Sequence, residues 1–249
     1  MSEFSGTFPK FVSVLLLLLL PAIFIGTASS STQKSQGNPV VRWTAGMSGS
    51  TFSRTADGKY VYTLKDDVFE IAIAIDSQEL EKVRHRPIPV FTIRLDARYT
   101  GQKSLELDTG LITLEFVSHF QVVNKTLDPD DLTTRIQNDI DNLGDQTDHE
   151  VRKHPEKRQE KESLLQSHLK DMTDLVGFIS LYSLRRTTLN SGNTTTGGWI
   201  FFDTKSKWIG KWKPQEGFIL RVPLKDKIFE FPFALPPNKG DLILRRRPG

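Results

Sequence analysis

Cysteine is absent from the 249-residue chain. Its absence excludes disulfide bonds, thiolate metal sites, a cysteine nucleophile and a lipid-modified cysteine behind a secretory signal. Because exported eukaryotic proteins often contain disulfides, this absence favours a bacterial periplasmic or cell-surface protein. Internal repeats and cofactor-binding motifs are also lacking, so the sequence predicts no cofactor.

Long apolar runs are scarce as well, and the most prominent one lies near the N-terminus. Lys10 precedes the run Phe11–Gly26, and the small residues Gly26-Thr27-Ala28 end it. A charged residue, an apolar stretch and small residues in this order are typical of a secretory signal. The run is shorter than the ~20 residues that cross a bilayer, and Pro21 interrupts it. We predict a cleaved signal over residues 1–30, with an uncleaved membrane anchor as the alternative, and hence a periplasmic, cell-surface or extracellular location.

The remaining chain is polar, with 25% charged residues, yet its 16 Phe and 4 Trp can build a core. Apolar and polar residues alternate with period two over Phe69–Asp76, Phe91–Arg98 and Ile112–Phe116, and again near Trp199–Asp203, Phe218–Leu224 and Phe229–Leu235. Side chains on a strand point alternately to opposite faces, so each run predicts a strand with one core face and one wet face. This pattern favours antiparallel sheets.

A different pattern begins near residue 127. Asp128 can cap a helix, with Pro129 in its first turn, and an apolar stripe at helical spacing runs from Leu132 to Leu143. Gly144 would end this helix, and a second helix would begin at Pro155. We predict a helical hairpin over residues 127–175, before period two returns near Phe178.

These patterns divide the chain into a signal (1–30), a linker with a first extended segment (31–57), a first β part (58–126), the hairpin (127–175) and a second β part (176–249). Many short amphipathic strands predict a sandwich or a barrel. We predict a mainly β fold, namely an immunoglobulin-like antiparallel β-sandwich with an inserted α-helical hairpin. An open barrel is the alternative.

The second β part carries a resemblance. The run Thr196–Asp203, followed by Phe218–Leu224, resembles the closing strands of immunoglobulin-like domains in uncharacterised bacterial exported proteins. The resemblance supports the fold and implies no activity.

Candidate catalytic and metal motifs fall short of their patterns. His149 and His154 are five residues apart, whereas the zinc-protease helix needs a spacing of four. The stretch Asp139–Glu150 places Asp139, Asp141, Gly144 and Glu150 as a calcium loop requires, but Leu143 supplies no oxygen at the fifth position. We therefore predict neither a catalytic residue nor a metal site.

Charge is distributed unevenly, since residues 127–175 have a net charge of −6 and residues 176–249 one of +8. The basic part contains five candidate binding residues in which cations and aromatics alternate, namely Lys207, Trp208, Lys211, Trp212 and Lys213. Such a segment can contact an anionic envelope polymer or a membrane surface. Alternatively, the tryptophans lie in the core and the lysines cover an edge strand.

The sequence favours a non-enzymatic exported binding or interaction module of the cell envelope. Its partner would be an anionic polymer, a membrane surface or a protein, and export disfavours nucleic acid. The alternative is a carbohydrate-active enzyme of the envelope, or its accessory domain. A pair of buried carboxylates in a cleft would favour that alternative.

Overall fold

The period-two runs form the strands of a mainly β protein in the computed structural model, which describes residues 38–86, 88–119, 121–204 and 212–238. In chain order, the strands are β1 (Val40–Arg42), β2 (Ser50–Arg54), β3 (Lys59–Lys65), β4 (Phe69–Asp76), β5 (Val90–Tyr99), β6 (Leu105–Leu107), β7 (Thr113–Phe116), β8 (Val122–Lys125), β9 (Thr187–Leu189), β10 (Thr195–Asp203), β11 (Glu216–Leu224) and β12 (Lys227–Leu235). The α-helices are α1 (Glu79–His85), α2 (Pro129–Lys153) and α3 (Arg158–Tyr182).

Ten of these strands form two five-stranded sheets. Sheet A has the order β1-β12-β11-β7-β8, and sheet B has the order β10-β5-β4-β3-β2. Neighbouring strands are antiparallel except β1 and β12, which are parallel. β6 and β9 form a separate two-stranded antiparallel sheet.

The apolar faces of the two sheets share one core. Aromatic rings make contacts from sheet B to sheet A, with ring centroids 4.9 Å apart for Phe91 and Phe218 and 5.4 Å apart for Phe69 and Phe229. All four rings are almost fully removed from solvent. The predicted alternation is therefore confirmed for Phe69–Asp76, Phe91–Arg98 and Phe218–Leu224, because these runs place their apolar sets against the opposite sheet.

The helical hairpin lies against the outer face of sheet B. Leu132 and Ile136 of α2 and Met172 and Ile179 of α3 form a second apolar cluster with Phe201 of β10. The predicted cap is confirmed, since the Asp128 carboxylate accepts hydrogen bonds from the backbone N–H groups of Asp130 and Asp131 at 2.8 and 3.2 Å. These contacts fix where the hairpin begins.

Both helices are longer than the sequence predicted. α2 continues through Gly144 to Lys153, because a helix-interior glycine costs only about 1 kcal/mol and Val151 is still buried further along. α3 continues past the predicted boundary at 175 to Tyr182, where a strand was expected near Phe178. The Phe178 ring contacts Trp199 on β10, with ring centroids 5.6 Å apart, so tertiary packing extends the helix.

Within the described residues, no helix combines the length and the apolar character that a bilayer crossing requires.

Candidate functional site

The two sheets differ in what lies on their outer faces. The hairpin covers part of sheet B, whereas none of the described helices packs on the outer face of sheet A. We define this outer face by the outward-pointing residues of its strands, together with Val117 directly after β7: Val40, Arg42, Thr113, Glu115, Val117, Val123, Lys125, Ile219, Arg221, Pro223, Ile228, Glu230, Pro232 and Ala234. It is the candidate functional site.

A row of four alternating charges crosses this face. Arg42 on β1 donates a hydrogen bond to Glu230 on β12 at 2.6 Å, and Arg221 on β11 donates to the other Glu230 oxygen at 2.9 Å. Nη2 of Arg221 also lies 2.7 Å from Oε2 of Glu115 on β7. The order Arg42, Glu230, Arg221, Glu115 therefore alternates in sign over four adjacent strands.

Strand register creates this row. Arg42 and Arg221 are both direct neighbours of Glu230 on the adjacent strands, and Glu115 lies one diagonal step from Arg221. Directly opposed or diagonal side chains on one face are close enough to pair. The four residues are far apart in the sequence, so the row forms only when the sheet is assembled.

The two carboxylates of the row are shielded although they point away from the core. The side chains of Glu230 and Glu115 are 8% and 12% exposed. Burial alone would lower the pKa of Arg221, but its hydrogen bonds to Glu115 and Glu230 outweigh this effect and raise that pKa. The Arg221 guanidinium is therefore firmly protonated where it bridges the two carboxylates.

Apolar residues flank the row on both sides. One flank is formed by Val40, Ile228 and Pro223, and the other by Pro232 and Ile219 with the nearby valines 117 and 123. Val40, Val117 and Val123 are 54%, 40% and 51% exposed. Exposed apolar residues beside paired charges are a combination that protein interfaces use.

A groove of about 440 Å³ opens at one end of this face. Its lining includes Trp43, Val117, Ile219, Pro232 and Ala234. The groove is therefore continuous with the apolar flank on the Pro232 side of the charged row, and it gives that flank a concave margin.

The five binding residues that the sequence suggested lie elsewhere. Trp212 is only 7% exposed and belongs to the core shared by the two sheets, so its ring forms no stacking surface. This corrects the interpretation of Trp212 as a binding residue and agrees with the alternative of a core tryptophan. Lys213 is exposed. Lys207, Trp208 and Lys211 lie outside the described residues, and their role stays a prediction.

A buried carboxylate lies next to Trp212. Glu216 is 1% exposed and accepts a hydrogen bond from the backbone N–H of Lys213 at 2.5 Å. Its second oxygen lies 3.6 Å from Nε2 of His119, in the turn after β7. This pair fixes the segment that enters β11.

The rejected metal motifs fall on the hairpin. Residues 139–150 are helical within α2, so no calcium loop forms there. His149 and His154 are exposed. Among the described residues, no group of three or more His, Asp or Glu side chains is arranged to hold a metal ion.

Three carboxylates are buried in the described part of the chain: Glu79, Glu216 and Glu230. Glu79 pairs with both terminal nitrogens of Arg86, at 2.6 and 3.0 Å, and accepts the Thr92 backbone N–H at 2.6 Å. Each of the three carboxylates thus has its own set of protein partners, and none is paired with another across a cleft.

Sequence reasoning missed the outer face of sheet A. The signal it left is the outward set of each strand, where Arg221 and Glu230 interrupt otherwise apolar positions. Only the order and register of the strands reveal that these charges meet.

Comparison of the chain with protein-family models, with curated proteins and with solved structures found no match.

Proposed function

We propose that this chain is a non-enzymatic interaction module that binds a protein through the outer face of sheet A. The observation that carries the proposal is the row of paired charges between two apolar flanks, on a face that no described helix covers. Interfaces combine apolar contact with satisfied polar groups, and this face supplies both.

The charge of the face favours a protein over an anionic polymer. Two arginines and two glutamates neutralise one another in the row, so little net attraction towards phosphates or uronates remains. Burying these charges beneath a partner is less costly because each already has a hydrogen-bonded counter-ion. The exposed valines contribute apolar area that a protein surface can match.

An immunoglobulin-like sandwich is the fold that we propose for this module. In the immunoglobulin fold, the strands that are conventionally lettered A, B and E lie in one sheet, and those lettered C, F and G lie in the other. The order of β4, β5 and β10 in sheet B, and of β7, β11 and β12 in sheet A, is compatible with this arrangement. The helical hairpin then lies in the chain between β8, which pairs with the strand-C equivalent β7, and β10, the strand-E equivalent. Strand D of the immunoglobulin fold would run at this point of the chain.

An aromatic cluster supports the same assignment. Antibody domains join strands B and F by a disulfide on which a tryptophan of strand C packs. In this cysteine-free chain, the Phe91 and Phe218 rings connect the corresponding strands, and the Phe116 ring packs on them with centroids 6.3 and 5.6 Å away. Apolar packing would replace the covalent link between the sheets.

The carbohydrate-active alternative has less support. Acid–base hydrolysis of a glycoside needs two carboxyl groups that flank the scissile bond. In the described residues, the buried carboxylates are held in separate ion-paired or hydrogen-bonded sets. We therefore retain the interaction role.

Export to the cell envelope belongs to the same proposal, and it rests on the sequence of residues 10–28. Mass spectrometry of the protein from its host should give an N-terminus between about Ser29 and Gln33, as the rules of signal cleavage allow. Intact Met1 in the membrane fraction would contradict cleavage and favour an anchor.

A site-specific photocrosslinker tests the interaction surface. We expect a crosslinker at Val117 on the outer face of sheet A to form a protein adduct in the host. The matched control is Val61, an outward-pointing and half-buried valine on β3 of sheet B, where no adduct is expected. Equal yields at both positions, or none at either, would refute the proposed surface.

A further inference from the structure

The order of charges on the outer face of sheet A has a consequence for the partner that fits it. Read from β1 to β7, the row is positive, negative, positive, negative. Reversed, the same row is negative, positive, negative, positive. When the same row of a second copy faces the first row in reverse order, each charge therefore faces a charge of the other sign.

Such a reversal is produced by one particular symmetry. Consider a two-fold axis that lies in the interface, parallel to the strands and between β11 and β12. It brings Glu230 opposite Arg221 of the second copy, and Arg42 towards Glu115 of the second copy. A two-fold axis perpendicular to the strands would instead set Arg221 against Arg221 and Glu230 against Glu230. Like charges in an interface are repulsive, so only the first axis is compatible with the row.

The positions of the apolar flanks are compatible with the same two-fold axis. Ile228 and Pro223 are direct neighbours on β12 and β11, as are Pro232 and Ile219. Rotation about the axis between these strands therefore places Ile228 opposite Pro223 of the second copy, and Pro232 opposite Ile219 of the second copy. On the two central strands, charged positions therefore meet charged positions and apolar positions meet apolar ones, as an isologous interface requires.

The size of the face indicates which class of complex it can form. The five strands contain 3, 9, 9, 4 and 4 residues in sheet order. With a rise of about 3.3 Å per residue and a spacing of about 4.8 Å between strands, they cover roughly 500 Å² per copy. Two such faces bury about 1,000 Å² in total, which is the lower end for specific protein interfaces.

We infer that the partner of this face is a second copy of the chain, bound face to face about a two-fold axis parallel to β11 and β12. The inference rests on the proposed function and specifies its partner. An interface of this size is typical of a weak, reversible dimer and not of an obligate one.

The first test measures the mass of the full chain by sedimentation equilibrium between about 1 and 300 μM, a range wide enough to detect weak association. Ile219→Lys places a charge in the apolar flank, and Val117→Lys does so at an exposed position where folding is not at risk. Both should weaken the dimer by about tenfold or more. Val61→Lys on sheet B is the control and should dimerise like the unchanged chain.

The second test identifies the axis by charge reversal. Arg42→Glu alone and Glu115→Arg alone should each weaken the homodimer, because like charges then face each other. Mixed together, the two variants should form a heterodimer, since Glu at position 42 of one copy faces Arg at position 115 of the other. Native mass spectrometry distinguishes the mixed species, and circular dichroism checks that each variant is folded.

Three results would overturn the inference: a monomer at 300 μM, dimerisation of Ile219→Lys and Val117→Lys like the unchanged chain, or a heterodimer of Arg42→Glu with the unchanged chain instead of with Glu115→Arg. A monomer whose Val117 crosslinker still yields an adduct of another mass would overturn the second copy as partner but not the proposed function. A monomer with no adduct would overturn both.

Discussion

At the scale of single residues, two glycines show how local space decides whether a side chain is tolerated. A Cβ on Gly198 would lie 2.6 Å from the backbone nitrogen of Leu184 and 2.8 Å from its Cα. The chain leaving α3 passes over β10 at this point, and the Leu184 N–H donates to the Trp199 carbonyl at 2.8 Å. Gly144, in the interior of α2, has no atom within 4 Å of the same position. Only one of these glycines is required by packing.

Opposite effects on stability are therefore expected at the two positions. Gly198→Ala should destabilise the fold by about 1–3 kcal/mol, because the backbone of β10 or of residues 183–184 must shift. Gly144→Ala should stabilise it by about 0.5–1 kcal/mol through helix propensity. Urea unfolding of both variants measures the difference, and a loss of stability in Gly144→Ala would contradict the open space around α2.

Trp212 and Lys213 form a second matched pair of neighbours. Trp212 is buried among residues of both sheets, whereas Lys213 is exposed. Trp212→Ala should cost about 3–5 kcal/mol of unfolding free energy, and Lys213→Ala should change it by less than about 0.5 kcal/mol. The melting temperatures of the two variants test this. A Trp212→Ala variant with unchanged stability would restore its ring as a candidate surface residue.

At the scale of secondary-structure elements, the sequence predicted the beginnings better than the ends. Asp128 and Pro129 mark the start of α2 through chemistry that is local to the first turn. The ends of both helices depend on contacts between distant parts of the chain, such as Phe178 with Trp199 and Phe201. A short apolar run like residues 178–184 fits a strand or a helix by periodicity alone. That ambiguity is resolved by packing on β10.

The half of the hairpin that contains the start of α2 and the end of α3 packs against sheet B. Leu132 and Ile136 in α2, and Met172 and Ile179 in α3, contact the outer face of β10. In the other half, the two helices contact each other around Leu143 and Leu165, and much of their surface is exposed, including 55% of Leu164. The half near the sheet therefore belongs to the core, whereas the far half extends from it.

Two deletions of different length test this division. Replacing residues 143–168 with a short Gly/Ser linker should leave the melting temperature nearly unchanged, since closing a loop of different length costs little. Replacing residues 128–174 should cost about 3 kcal/mol or more, because Phe201 loses much of its apolar cover together with Val90. Similar destabilisation of both variants would show that the far half also supports the fold.

At the scale of the whole molecule, the sequence predicted the strands but not the surface they build. Alternation over Phe69–Asp76 or Phe218–Leu224 reports which face of a strand is apolar, and burial confirms it. Nothing local reports that β12 lies between β1 and β11, so the meeting of Arg42, Glu230 and Arg221 could not be predicted. A site assembled from four strands becomes visible only through their order.

Ion pairs also join parts of the chain that are distant in sequence. Asp66, in the turn after β3, pairs with Lys227 on β12 of the other sheet. Asp130 at the start of α2 pairs with Arg185 after α3, at 2.8 Å. Glu106 on β6 pairs with Arg186 near β9. Hydrogen bonds from these basic partners hold the pKa values of the three carboxyls below their ordinary range.

The lowered pKa values predict how stability depends on pH. A carboxyl with a lower pKa in the folded state stabilises the fold above its unfolded pKa, here near 3.8 for Asp and 4.5 for Glu, and loses that contribution as pH falls through the folded value. Burial raises the pKa of Glu79, so this carboxyl opposes the trend. We expect the unfolding free energy to decrease from pH 5 towards pH 2. The triple variant Asp66→Asn, Glu106→Gln, Asp130→Asn, which leaves Glu79 unchanged, should show a shallower decrease in urea titrations. An equal slope in the variant and the unchanged chain would show that these pairs do not control acid stability.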